Sequence, residues 1–151
     1  FRPFREAGNL LYGGAWTAER LAAIKDFMHQ HEDAMDPAVR AIIAGARSLS
    51  AADAFEGQNR LAAFRRAAEA QWARVDVLLL PTVPRHDTVE DVKADPIARN
   101  ALLGRYTNFV NLLDCCAIAL PAGFRGNGLP FGVTLIAPAF CDDALAIVVP
   151  L

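Results

Sequence analysis

The sequence predicts an α/β fold in which helices pack on a sheet of short, buried strands. Apolar residues recur at helical spacing through the first half of the chain. In the second half, short continuous apolar runs are closed by proline or glycine. Composition supports the same class: 54% of the 151 residues are hydrophobic, enough for a substantial core and unlike a disordered tail.

The helices come first. Thr17 is placed to cap Ala18-Glu19-Arg20-Leu21, with Trp16 stapling onto Leu21. Leu21, Ile24, Phe27 and Met28 then form an apolar stripe. Asp36-Pro37 opens a short helix with proline at its first position, and Val39, Ile42 and Ile43 are its buried stripe. Ser50-Ala51-Ala52-Asp53 is a capping box with Asp in place of Glu. The long helix that follows runs to about Arg74, with Phe55, Leu61, Phe64, Ala68 and Trp72 on one face. Arg60, Arg65, Arg66 and Glu69 fall mostly outside that stripe and read as a solvated face.

The strands follow. Val77-Leu78-Leu79-Leu80, ended by Pro81-Thr82-Val83-Pro84, reads as a strand buried on both faces, the type found in parallel or mixed sheets covered by helices. Ala117-Ile118-Ala119-Leu120, ending at Pro121-Ala122-Gly123, repeats the design. A third strand spans Phe131 to Ile136 after the turn signal Gly126-Asn127-Gly128-Leu129-Pro130. Between the first two strands lie a polar loop, a helix near Pro96 to Leu103 and the segment Tyr106 to Asp114.

Charge and cysteine content exclude several classes. A net charge of -2 gives no electrostatic case for nucleic acid or an anionic membrane. No apolar run approaches the roughly 20 residues of a membrane-spanning helix. Cys115 and Cys116 are adjacent and do not form a zinc knuckle; with Cys141 they make an odd count. Reduced thiols, acting as small buried hydrophobes in a cytoplasmic protein, are expected. The opening Phe1-Arg2-Pro3-Phe4-Arg5 and the closing Val149-Pro150-Leu151 both read as cuts through a longer chain.

A self-contained catalytic centre is not visible. The two serines are Ser48, in a connection, and Ser50, explained by helix capping. No Gly/Ser-rich turn supplies the base and oxyanion donors that a serine nucleophile needs. His29 and His31 point in different directions on a helix, and His86 lies in a loop. No metal site or cofactor is expected. The paired acids Glu90-Asp91 are weak as a motif, and Asp142-Asp143 is explained by a helix start.

One constellation carries a sharper hypothesis. Tyr12 and Arg20 flank the turn Gly13-Gly14-Ala15-Trp16. With Thr17 as cap, Arg20 is the third helical residue, and its guanidinium works alongside the free N–H groups at the helix start. Arginine presents a planar fork that matches a carboxylate, and a tyrosine hydroxyl adds a donor. The competing reading is an exposed arginine paired with Glu19 or Glu32.

Three blocks, in order, resemble the C-terminal half of amidase signature enzymes. They are Val77-Leu78-Leu79-Leu80-Pro81-Thr82, then Tyr106-Thr107-Asn108-Phe109-Val110-Asn111-Leu112-Leu113-Asp114, and then Ala119-Leu120-Pro121-Ala122-Gly123-Phe124 with Gly128-Leu129-Pro130-Phe131-Gly132 through Phe140. The wording of the last two, and of Leu10-Leu11-Tyr12-Gly13-Gly14-Ala15-Trp16-Thr17-Ala18-Glu19-Arg20, is similar to the allophanate hydrolase branch. The closing Leu145 to Leu151 departs from that pattern and does not resemble the family's continuing helix.

The resemblance implies an amidase signature fold, a mixed central sheet flanked by helices, of which residues 1–151 supply the C-terminal portion. The family acts through two serines and a lysine in its N-terminal half, so the resemblance implies that this chain alone is inactive and works with that half. In the allophanate hydrolase branch a Tyr and an Arg eight residues later hold the substrate; they match Tyr12 and Arg20. The implied function is hydrolysis of allophanate, a small-molecule substrate, to ammonia and carbon dioxide in urea nitrogen assimilation. The resemblance also suggests a homodimer. Its rivals are another amidase signature amidase or amidotransferase subunit, and a non-catalytic module.

Overall fold

The computed structural model describes residues 1–148. Eight helices and three strands follow one another as α1 (Arg2–Gly13), α2 (Trp16–His31), α3 (Pro37–Gly45), α4 (Ala51–Trp72), β1 (Leu78–Pro81), α5 (Val89–Ala94), α6 (Pro96–Leu103), α7 (Asn108–Leu112), β2 (Cys115–Phe124), β3 (Pro130–Pro138) and α8 (Asp142–Val148). The α/β class expected from the sequence is the class observed.

The strand order is β1-β3-β2, and both pairings are antiparallel. The apolar runs had suggested strands of a parallel or mixed sheet, buried on both faces. Within this chain neither holds. β2 and β3 are joined by a tight turn in which Gly128 N–H donates to Arg125 O at 2.9 Å, which imposes the antiparallel sense. The central strand is the best covered: Thr134 to Ala137 are buried, and β2 adds Cys116, whereas Leu79 on β1 is 62% exposed and Phe124 on β2 is 80% exposed. Thr82 and Thr134 bond through their hydroxyls at 3.0 Å.

The main core joins the first helix to the sheet. Phe4 and Ala7 of α1, Ala68 of α4, Phe109 of α7, Leu113 and Ile136 of β3 are buried together. Phe4 meets Trp72 edge-on at 5.2 Å and Phe109 at 5.3 Å, the offset geometry that aromatic rings prefer. α1 was not expected from the sequence, although Phe4, Ala7 and Leu10 repeat at helical spacing and all three are buried. A second, smaller core packs Leu145 of α8 against Cys116, Leu135 and Ala137.

Several local expectations hold. Asp36 caps α3 by accepting from the N–H groups of Ala38 and Val39 at 2.9 and 3.1 Å. Ser50 and Asp53 form the reciprocal box that starts α4. Pro96–Leu103 is helical as expected, and Asp142 and Asp143 begin α8. The helix continues through Val148, so the departure read at Leu145 is not a break in structure; the part of that reading on residues 149–151 lies outside the described residues.

Other expectations are corrected. Thr17 is not a helix cap: α2 begins at Trp16 with Ala15 before it, and Thr17 is buried inside the first turn. Trp16 therefore does not staple onto Leu21. Its ring lies beside Gly57 of α4, where an added Cβ would come within 3.3 Å of Trp16 Cζ3. The α2 stripe is interrupted because Ile24 is non-helical (φ -120, ψ 15). Past that kink Met28 is buried, whereas Phe27 turns outward to His31. Val39 and Phe55 also lie outside the core, at 47% and 65% exposed. Arg65 is not purely solvated, since it donates to Leu112 O at 3.3 Å.

Candidate functional site

The turn between α1 and α2 brings Tyr12 and Arg20 together. Gly14 makes the turn possible: a Cβ there would lie 2.7 Å from Leu10 O, closer than any side chain tolerates. The buried Gly57 lets Ala15 and Trp16 settle onto α4, which fixes where α2 begins. Arg20 then sits one turn inside α2, as its fifth residue rather than its third. It is too far along to share the free N–H groups of the helix start, so that part of the expectation is replaced. The guanidinium instead reaches back over the phenol: Arg20 Cζ lies 5.3 Å from the centre of the Tyr12 ring, within cation–π range.

Both side chains line an open cavity of about 720 Å³. Its remaining lining comes from Pro37, Val39 and Ile42 of α3 and from Val92, Lys93, Pro96 and Asn100 of α5 and α6. A second cavity of about 450 Å³ shares Tyr12 and Ile42 with the first and is lined also by Gly13 and Gly14 of the turn.

The first cavity is suited to an anion. Arg20 forms no ion pair among the described residues. Glu32, one of the two acids expected to neutralise it, is held by Arg47 at 2.9 Å, and that hydrogen bond lowers the Glu32 pKa. Lys93 adds a second cation to the lining, and the carboxylate there, Asp36, is already engaged by two N–H groups of α3.

The other chemistry-bearing residues have structural duties. Ser48 Oγ donates to Gly45 O at 2.9 Å, and Ser50 caps α4. His29, His31 and His86 are exposed, and among the described residues no group of three His, Cys, Asp or Glu could hold a metal ion. Cys115 is half-buried, and burial pushes its thiol up to about 11, with Cys116 and Asp114 adding to the shift. No helix among the described residues is long and apolar enough to cross a membrane.

Of the wall formed by α5 and α6, the sequence had indicated α6 but not α5. Thr88 and Asp91 form the same reciprocal cap as Ser50 and Asp53, with Asp91 N–H donating to Thr88 Oγ1 at 3.1 Å. That Thr-x-x-Asp spacing was the available signal.

The chain is 44% identical over 147 residues to urea amidolyase of Lachancea kluyveri and 42% identical over 147 residues to that of Saccharomyces cerevisiae. Each match covers 96% of this chain and 8% of the relative, so the chain spans a small part of those proteins. Among solved structures it superposes on Kluyveromyces lactis allophanate hydrolase with TM-score 0.93 and 41% identity, covering 98% of this chain and 24% of that one. The model of the Amidase family matches residues 6–146, and the chain belongs to that family.

Proposed function

We propose that this chain is the C-terminal portion of an amidase catalytic domain and supplies the carboxylate-binding half of a site that hydrolyses allophanate. The reading rests on one observation above the others: Arg20, stacked on Tyr12 and without an ion pair among the described residues, faces a cavity large enough for a small acid. The likeness to allophanate hydrolase and urea amidolyase supports the choice of substrate.

Allophanate has a carboxylate at one end and a terminal amide at the other. Arg20 grips the carboxylate with its planar fork, and the Tyr12 hydroxyl donates alongside. The amide carbonyl is thereby presented to a serine nucleophile carried by the rest of the domain. Attack of the serine oxygen on that carbonyl expels ammonia and leaves an acyl-enzyme. Water then releases N-carboxycarbamate, which falls apart into carbon dioxide and ammonia. The contribution of this chain is positional: fixing the substrate's remote end lowers the barrier by fixing the geometry of attack.

The test is ammonia release by the full-length protein, wild type against Arg20→Ala, with allophanate and with an uncharged amide of similar size. Activity on allophanate falls by about ten- to a hundredfold, the range for a lost hydrogen bond to a charged group, and the uncharged amide is spared. Equal losses on both substrates would remove the carboxylate role.

A further inference from the structure

The loop after β1 holds a carboxylate that the site described so far does not use. The Asp87 side chain is 1% exposed and bridges two guanidiniums, Arg85 Nη2 at 2.6 Å and Arg99 Nη1 at 2.9 Å, both on Oδ1. Its other oxygen, Oδ2, is buried and has no hydrogen-bond partner among the described residues.

The two arginines come from different places. Arg85 is two residues from Asp87 on the same loop, whereas Arg99 belongs to α6. Arg99 lies next to Asn100 and three residues beyond Pro96, both of which line the Tyr12/Arg20 cavity. α5 and α6 pack mainly on each other, so ties that join them to the remainder of the fold are few. A buried charge is expensive unless paired, and a bidentate pair with one arginine would satisfy both carboxylate oxygens. Because the two guanidiniums on Oδ1 come from the loop and from α6, the carboxylate joins those two segments.

We propose that Asp87 and Arg99 are positioning residues for substrate binding: their ion pair sets the α6 wall of the cavity that Tyr12 and Arg20 also line and so fixes the cavity's shape. The proposal rests on the reading of that cavity as the substrate site. Arg85 shares the carboxylate but not the duty, because its loss leaves α6 tied.

The experiment compares Arg99→Gln with Arg85→Gln in the full-length protein. Each removes one guanidinium from the same carboxylate, and neither leaves Asp87 without a partner. KM for allophanate rises about tenfold in Arg99→Gln, kcat changes less than twofold, and Arg85→Gln stays within twofold of wild type on both. Arg99→Lys, which keeps a charge at the position, recovers part of the KM. Hydrogen exchange of the amides in residues 96–103 accelerates in Arg99→Gln and not in Arg85→Gln. Equal KM values in the two glutamine variants, raised or unchanged, overturn the proposal, as does a change in kcat alone. Failure of Arg99→Gln to fold while Arg99→Lys folds with wild-type KM and exchange assigns the pair to stability and likewise overturns it. The exchange arm uses no substrate, so a wrong substrate, revealed by Arg20→Ala, is distinguishable from a wrong tether.

Discussion

Replacing Tyr12 by phenylalanine separates the two things its side chain can do. The ring carries the Arg20 guanidinium at 5.3 Å from its centre, and the residue is 42% exposed. At such an exposed position the stack contributes about 0.5–1 kcal/mol, roughly two- to fivefold in binding. A hydroxyl donating to a charged carboxylate is worth about 1.5–3 kcal/mol, and the lower end, roughly tenfold, suits a wet cavity. Tyr12→Phe keeps the ring and removes the donor, so KM for allophanate in the full-length protein rises about tenfold. Tyr12→Leu removes both and raises KM roughly twenty- to fiftyfold. The assay is steady-state ammonia release, with kcat and KM resolved separately. A Tyr12→Phe enzyme with wild-type KM would show that the phenol oxygen does not touch substrate, and the tyrosine would then be only a shelf for Arg20.

Other expectations follow from the fold. Phe109→Ala, at a residue 0% exposed among Phe1, Phe4 and the sheet, costs about 3–5 kcal/mol, read as a lowered urea midpoint of the full-length protein. Ser50→Ala removes the α4 cap and costs about 1 kcal/mol, with faster hydrogen exchange at residues 51–54. Asp53 and Asp91 have lowered pKa values in the fold, through hydrogen bonds from Ser50 and Thr88 respectively. Their contributions to stability are complete above the ordinary aspartate value of 3.8 and are lost as pH falls through the lowered ones. Unfolding followed downward in pH should therefore show α4 and α5 losing their first turns in acid, and Asp53→Asn should flatten that dependence for α4. Cys115, with its thiol near 11, reacts slowly with iodoacetamide at neutral pH, and its rate climbs steeply only in strong alkali.

How much of this was legible depends on the range of the interaction that decided each feature. Caps are local, so Asp36 and Ser50 were readable from four consecutive residues, and Thr88 would have been by the same rule. The start of α2 was not. Thr17 has the right chemistry for a cap, but the close seat of Trp16 against Gly57, about forty residues away in sequence, moves the helix start forward. The nearness of Arg20 to Tyr12 was anticipated, but the reason was different: a ring beneath the guanidinium rather than a row of free N–H groups. Burial of β1 and β2 was over-read because an apolar run reports what a strand can cover, not what stands beside it in this chain. The Asp87 bridge was invisible, since pairing between a loop and α6 leaves no period in the sequence.

The strand order has a consequence for synthesis on the ribosome. β1 is complete by residue 81, yet its only partner among the described strands begins at residue 130. During translation Leu78, Leu79 and Leu80 therefore emerge before their β3 partner and wait for it through roughly fifty further residues, the kind of delay that slows folding and invites association. Pro81, at the end of β1 and lacking an N–H, limits how far another strand can zip along it. A chain halted before Pro130 should accordingly be captured by chaperones that bind extended apolar segments, and one extended past Pro138 should be released.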